Sequence, residues 1–255
     1  MARPKLLITG ASGLIGGVLC NALSDRYEIT ALNRSDVPGV RTIRADATSI
    51  VEAFQTQDYV VHLAAKSALE YTWDEILYPN VIGTYNVFQA AVTAGVSRVL
   101  FASSGSITVG WEQEEPYRSI VRGQYDDVPP SWPMITHEKP PRPYGLYGCS
   151  KLWGEGLARH FSDTTRTSFV CLRIGEVVPE NKPTNTRRFS MWCSHRDLIQ
   201  MVERCLAAPD SLRFDTFYVV SDNKWNYRDI NHTREIVGYA PQDNAEDHRE
   251  SGTNQ

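Results

Sequence analysis

Leu6-Leu7-Ile8-Thr9-Gly10-Ala11-Ser12-Gly13-Leu14-Ile15-Gly16-Gly17 sets a short apolar run directly against glycines spaced three apart. Behind them Leu14, Ile15, Val18, Leu19, Ala22 and Leu23 recur with helical period, so the order reads strand, tight turn, helix. A helix N-terminus offers unpaired N–H groups and the positive end of its dipole, and residues without side chains let a phosphate come close. The spacing Gly-x-x-Gly-x-x-Gly is a relative of the dinucleotide fingerprint, not the Gly-x-Gly-x-x-Gly form itself. Glycines alone would also suit an ordinary strand-to-helix turn. Their position between a strand and an amphipathic helix favours a nucleotide, cradled by Gly10, Ser12, Gly13, Leu14, Ile15 and Gly16.

The rest of the chain continues the alternation. Apolar runs at 28–32, 42–45, 59–63, 98–102, 168–173 and 217–220 read as strands, with helical patterns at 73–94, 147–161, 197–207 and 227–237. Strands and helices joined by short connections predict an α/β fold: a Rossmann-type, doubly wound parallel sheet with a small C-terminal substrate-binding portion. The expected division is a dinucleotide-binding domain over 1–166, last strands and substrate portion over 167–240, and a fraying polar tail over 241–255. Pro79 is expected to bend the 73–94 helix or mark its start. Between 111 and 143 the periodicity stops amid seven prolines, with Trp111 and Trp132 among them. A connection of that length with aromatics reads as a lid or insertion over substrate.

Bulk properties narrow the function classes. The 255 residues suffice for one α/β core, and a formal charge of −4 argues against a general nucleic-acid or anionic-membrane binder. No run of 18 apolar residues suggests a membrane span. Met1-Ala2-Arg3-Pro4 leads straight into the first strand, leaving no room for a secretory signal. The five cysteines lack metal-ligand spacing and read as free thiols of a cytoplasmic protein without a metal.

The strand ends carry the next clues. After 28–32 come Asn33 and Arg34, where dinucleotide folds discriminate at the adenosine ribose; an arginine suits a 2′-phosphate, an acid the free hydroxyls. Arg34 therefore tilts the cofactor to NADP(H), while Asp36 leaves NAD(H) open. Asp46, after the third strand, suits the adenine amino group, in competition with an N-cap role for Asp46 or Thr48. Leu63, Ala64 and Ala65 close the fourth strand with small residues over which a cofactor can pass, and His62 reads as a packed core histidine. Strand 98–102 delivers Ser103 and Ser104 to the same sheet edge. Tyr147 and Lys151, four apart, share one helical face, with Cys149 between them expected to pack elsewhere. Tyr144 is the weaker rival, having no lysine four residues on.

Thr9-Gly10-x-x-Gly13-x-x-Gly16, Asp46, His62-Leu63-Ala64-Ala65, Ser103-Ser104 and Tyr147-x-x-x-Lys151 together resemble an extended short-chain dehydrogenase/reductase of the NAD-dependent epimerase/dehydratase family. The resemblance spans nearly the whole chain. It implies a Ser104–Tyr147–Lys151 centre that transfers hydride between a nicotinamide and a sugar-type carbon. It also implies cofactor contacts at Ala47, Ser103, Tyr147, Lys151 and Ile174, and a homodimer built on the 73–94 and 147–161 helices. The chemistry agrees: a phenol with a pKa near 10 is a poor base at neutral pH unless a nearby ammonium favours the phenolate.

Leu172-Arg173-Ile174-Gly175, Arg187, Ser190, Trp192 and Ser194-His195 are similar to the uronate dehydrogenase subset of that family. That likeness implies Arg187 as holder of a substrate carboxylate and Ser67 as a substrate contact. Three positions depart from it: Glu176 replaces a serine, Leu14 a glutamine and Gly105 an asparagine. Glu176 is expected to pair with Arg187 and occupy the carboxylate site, which makes Glu176 a substrate-side residue of a different kind. The short C-terminal portion favours a simple or phosphorylated sugar over a nucleotide-sugar. Oxidation of a sugar or sugar acid, with C1 converted to a lactone, is the leading expectation. A nucleotide-sugar 4-epimerase or dehydratase and a non-catalytic dinucleotide-binding module are the alternatives.

Overall fold

Lys5–Thr9 (β1) lies mid-sheet, as a run buried on both faces must. The computed structural model describes residues 2–44, 50–68 and 70–249. The other strands are Glu28–Asn33 (β2), Arg41–Arg44 (β3), Tyr59–His62 (β4), Arg98–Ser104 (β5), Ser168–Ile174 (β6) and Phe214–Val219 (β7). All neighbours pair in parallel, in the order β3-β2-β1-β4-β5-β6-β7. Every expected strand is present. The last begins three residues earlier than its apolar run, since Phe214 and Asp215 pair with Phe169 and Val170.

Alternation along β1 assigns the faces. Leu6 and Ile8 join Leu14–Leu23 (α1) and His195–Leu206 (α7) in one core, through Leu19, Leu23, Met201 and Val202. Leu7 faces the other core, with Phe88 of Gly83–Ala94 (α4) and Ala158 and Phe161 of Gly145–Thr164 (α6). A four-residue helix, Val51–Phe54 (α2), also packs on that side. The chain runs from β3 back across β1 to β4, so the crevice between β1 and β4 lies at the point where strand order reverses.

Pro79 does not break its helix. Trp73–Ile76 (α3), capped by Thr72 and Glu75, passes through a π-helical stretch, Leu77–Ile82, into α4. Asn80 in this wider stretch is buried: it accepts from the Lys66 N–H at 2.8 Å and donates to the Lys66 carbonyl and Ser150 Oγ at 2.9 and 3.0 Å. It thereby joins the segment after β4 to α6. On α6 itself, a Cβ at Gly148 would lie 2.8 Å from the Ser106 carbonyl, and one at Gly154 would lie 2.5 Å from the Phe101 ring. Their absence lets α6 lie close against the end of β5.

Segment 111–143, aperiodic in sequence, is packed and carries short elements of its own. It holds Tyr117–Arg122 (α5) and 3-10 turns at Val109–Gln113 and Tyr125–Asp127. Tyr117, Ile120 and Ile135 form a small third core with Tyr218, Val220, Tyr227 and Ile230. Side chains pin its proline-rich part: Trp132 Nε1 donates to the Asn226 carbonyl at 3.1 Å and the Tyr117 hydroxyl to the Pro133 carbonyl at 2.8 Å. Aromatic burial there replaces periodicity, so helical or strand spacing gives no sign of it.

The C-terminal elements also differ from expectation. The last helix, Asn231–Val237 (α8), starts four residues after Tyr227, because Tyr227 and Arg228 turn inward and are buried. Residues 241–249 do not fray. Asp197 Oδ1 accepts the Gln242 N–H at 2.7 Å, Arg196 pairs with Asp243, and Ala245 is buried. Cys149 is exposed, against the packing role expected for it, while the other four cysteines are buried. No helix among the described residues is long and apolar enough to cross a membrane.

Candidate active site

At the C-terminal ends of β1, β4, β5 and β6 lies one cleft of about 1530 Å³. At one end it is bordered by Gly10, Ser12, Gly13, Leu14, Ile15 and Gly16, with Asn33 and Arg34 beside them. Leu63, Ala64, Ala65 and Ser67 border its middle, then Ser103, Ser104, Tyr147, Lys151 and Ile174. Glu176 and Arg187 stand toward the other end. Asp46 and Ala47 lie outside the described residues.

The glycine end fits a dinucleotide. Gly10 has φ +70°, and a Cβ there would meet the Ala64 backbone nitrogen at 2.8 Å, so the turn presses on the end of β4. A Cβ at Gly13 would meet only the Gly10 carbonyl, at 3.4 Å, so protein packing does not demand this glycine. The space beside it belongs to the cleft, and no side chain caps the α1 N-terminus that opens there. A phosphate finds backbone donors and room at this point. At the ribose position Asn33 donates to the Ser35 carbonyl at 2.8 Å and accepts from Ser12 Oγ at 3.3 Å. Asp36 turns away to Arg44, whose Nε donates to it at 2.8 Å, and among the described residues Arg34 is the charged side chain on the cleft wall here.

His62 is structural, as its apolar surroundings suggested. The Ala64 N–H donates to Thr9 Oγ1 at 3.1 Å, and Thr9 Oγ1 and His62 Nδ1 share a hydrogen bond of 2.7 Å. His62 Nε2 shares a second hydrogen bond, of 3.2 Å, with Thr84 Oγ1. Burial, and the positive charge of Lys151, push the imidazole pKa down to about 3, so the ring stays neutral.

Ser104, Tyr147 and Lys151 come together through β5 and α6. The Ser104 hydroxyl donates to Ser106 Oγ at 3.1 Å and is close enough to the Tyr147 phenol to act on its pKa. It also accepts from the Ser106 N–H at 3.1 Å. Lys151 Nζ lies 5.7 Å from the Tyr147 ring centre and 4.8 Å from that of Phe101, with only 3% of the residue exposed. Burial lowers the lysine pKa to about 7. Burial raises that of Tyr147, and the Ser104 hydrogen bond offsets part of the rise. Ser103 borders the cleft but donates its hydroxyl to Glu155 Oε1 at 2.6 Å. That carboxylate also takes Arg173 through two bonds of 2.9 and 2.8 Å, a buried pair beneath the site.

The expected Glu176–Arg187 pair does not form. Glu176 takes Arg188, whose Nε donates at 2.7 Å, because Glu176 bridges to Trp192 and so lies alongside the 3-10 turn Thr186–Ser190. Arg187 turns to Glu112, with two bonds of 2.8 Å. Sequence reasoning passed over Glu112. It is one acid in an aperiodic stretch, 75 residues from its partner, and no spacing signals the meeting.

The arrangement joins a phosphate-accepting turn to a buried hydroxyl–phenol–ammonium group in one cleft. It can hold an alcohol carbon beside a dinucleotide and move the hydroxyl proton. Comparison with known proteins agrees. Residues 6–198 match the NAD dependent epimerase/dehydratase family model. The chain belongs to the NAD-dependent epimerase/dehydratase family. Within that family it is similar to a uronate dehydrogenase of Agrobacterium fabrum, 34% identical over 250 residues that span 95% of this chain and 86% of the relative. It is also similar to an NAD-dependent glucose-6-phosphate dehydrogenase of Haloferax volcanii, 32% identical over 96% of this chain and 95% of that one. Among solved structures, a mutant uronate dehydrogenase of Agrobacterium tumefaciens complexed with NAD superposes with a TM-score of 0.81. It is 30% identical and covers 96% of this chain and 87% of that one. The parallel sheet and glycine turn described above are thus those of an NAD-binding family of Rossmann type.

Away from the cleft, His137, Asp215 and His232 bring their ligand atoms within 4.8 Å of one another. The two imidazoles are stacked, with ring centres 3.8 Å apart. Since a ring nitrogen's lone pair lies in the ring plane, this stacking does not aim both at a single ion.

Proposed function

We propose that the chain is an NAD(P)-dependent sugar dehydrogenase that oxidises C1 of a sugar or sugar acid to a lactone. The observation that carries the reading is the Ser104–Tyr147–Lys151 group in the same cleft as the glycine turn. When bound, an oxidised nicotinamide contributes a hydride acceptor and a positive charge. Ser104 holds the C1 oxygen by hydrogen bond, and the Tyr147 oxygen takes the hydroxyl proton as the carbon gives up its hydride. Lys151 stabilises the phenolate and orients the ribose that carries the ring. Ser67, Glu176 and Arg187 form the substrate side.

Three finer assignments belong to this reading. Arg34 on the cleft wall, with Asp36 committed to Arg44, supports NADP over NAD. Exposed Trp73, Tyr78 and Tyr85, with Leu146 and Trp153 of α6, support a homodimer. Free thiols support the cytoplasm.

The test is a steady rise in absorbance at about 340 nm when the protein meets sugars and either oxidised cofactor. A protein that binds the cofactor tightly, interconverts sugar epimers and leaves the absorbance flat is a 4-epimerase, and the dehydrogenase reading is then wrong.

A further inference from the structure

At the sugar end of the cleft, Arg187 presents its fork to a carboxylate of this chain itself. Its Nε donates to Glu112 Oε2 and its Nη2 to Glu112 Oε1, each at 2.8 Å. The Glu112 side chain is only 6% exposed. It is held from behind as well: the Tyr227 hydroxyl donates to Oε1, and Arg228 Nη2 lies 3.7 Å from the same oxygen. Arg228 is fully buried, makes no side-chain hydrogen bond among the described residues, and stacks 4.4 Å from the Tyr227 ring centre. A Cβ on Gly105 would come within 3.3 Å of this guanidinium, so Arg228 sits directly behind the turn that follows Ser104. Burial pushes the Glu112 carboxyl up, but the Arg187 bonds and the two guanidinium charges reverse that and hold it ionised below its ordinary range.

The geometry points to Glu112 as the residue that sets substrate class, making this end of the cleft a site for an uncharged aldose, not for a uronate or a sugar phosphate. This rests on the dehydrogenase reading above. A substrate carboxylate can use the Arg187 fork only by displacing Glu112, which would strand a buried anion beside Tyr227 and leave Arg228 without its counter-charge. Approach to the outer N–H groups of Arg187 instead places two anions side by side. Lys66 lies 3.6 Å from Glu75, and Arg34 and Lys151 belong to the cofactor half. A neutral sugar meets no such conflict. The half-exposed Arg187 offers it the N–H donors that Glu112 leaves free, which suit sugar hydroxyls.

The experiment compares matched substrates: galactose with galacturonate, glucose with glucuronate and glucose 6-phosphate. Turnover is followed in the unaltered enzyme, and binding in a Tyr147→Phe protein loaded with oxidised cofactor, by protection against thermal unfolding. The neutral member is expected to have the higher kcat/KM by about tenfold or more, the ratio of one charge-assisted hydrogen bond. In Glu112→Gln the ratio should move toward the uronate by a similar factor, and adding Arg187→Ala should remove the gain. A uronate or phosphate preferred by the unaltered enzyme overturns the assignment without any variant. So does a Glu112→Gln protein whose ratio is unchanged. Sugar binding ordered as expected, with no turnover of any sugar, overturns the dehydrogenase reading and leaves the Glu112 assignment standing. Binding of neither class overturns both.

Discussion

The two ends of the cleft are built by opposite means. The cofactor end is made mainly of backbone: one glycine turn, the helix N-terminus that follows it and the small residues after β4. The sugar end is made of side chains from distant segments, with Glu112, Arg187, Tyr227 and Arg228 meeting over more than 110 positions of sequence. Backbone donors remain whatever the neighbouring side chains become. A charged network holds only while each member keeps its partner. The cofactor end is thus suited to staying constant across a family, and the sugar end to being retuned by single substitutions.

The largest effect should fall where the ends join. Tyr147→Phe is expected to lower kcat by about 10²–10⁴-fold, the usual contribution of a positioned acid–base group. Cofactor affinity, read by fluorescence titration, should stay close to that of the parent. A mild loss of kcat would remove Tyr147 as the proton acceptor and dissolve the link between the two ends.

Next is the buried Arg173–Glu155 pair, which also ties the Ser103 hydroxyl and, through Arg173, the Tyr218 hydroxyl at 3.2 Å. Arg173→Met should cost about 3–5 kcal/mol in urea unfolding, because Glu155 is left charged and buried. A loss below about 1 kcal/mol would mean that the side-chain networks do not hold the substrate half together.

Lys151 supplies a test in pH. Its pKa is about 7 in the fold, against 10.5 ordinarily. Between those values the unfolded chain carries a proton that the folded chain does not, so folding gains from this group as pH rises across the interval. The penalty is complete below pH 7. Lys151→Met should therefore be more stable than its parent at pH 6, by a few kcal/mol at most, and the advantage should vanish toward pH 10.5. An advantage that persists unchanged at high pH would show that the lysine is not desolvated as described.

The smallest effect belongs to the cofactor end. Arg34→Ala should weaken NADP by about 1–2 kcal/mol more than NAD, as befits an exposed charge on a phosphate, with stability unchanged. Equal losses for the two cofactors would show that Arg34 does not read the 2′-position.

How far the sequence could be read follows the same division. The strands and main helices were legible because each buries its own apolar residues at its own period, and the glycine turn because it is one unbroken stretch. Tyr147 and Lys151 were legible as a pair because a helix places residues four apart on one face. Segment 111–143 looked unstructured because its order comes from Trp132, Tyr117 and Ile135 reaching partners 16 to 94 residues away. The same distance hid the arginine partners. Chain proximity suggested Glu176 with Arg187, and the bridge from Glu176 to Trp192 moved that acid to Arg188.

Local periodicity and one run of glycines were enough to announce a parallel sheet, a dinucleotide and a tyrosine–lysine face. These depend on hydrogen bonds and burial within a few residues of each other, which any short window records. Which carboxylate meets Arg187, whether Arg228 is buried, and whether residues 241–249 pack were settled only by folding. Ion pairing depends on distances through space, and a linear chain carries no record of those until the sheet has brought its ends together.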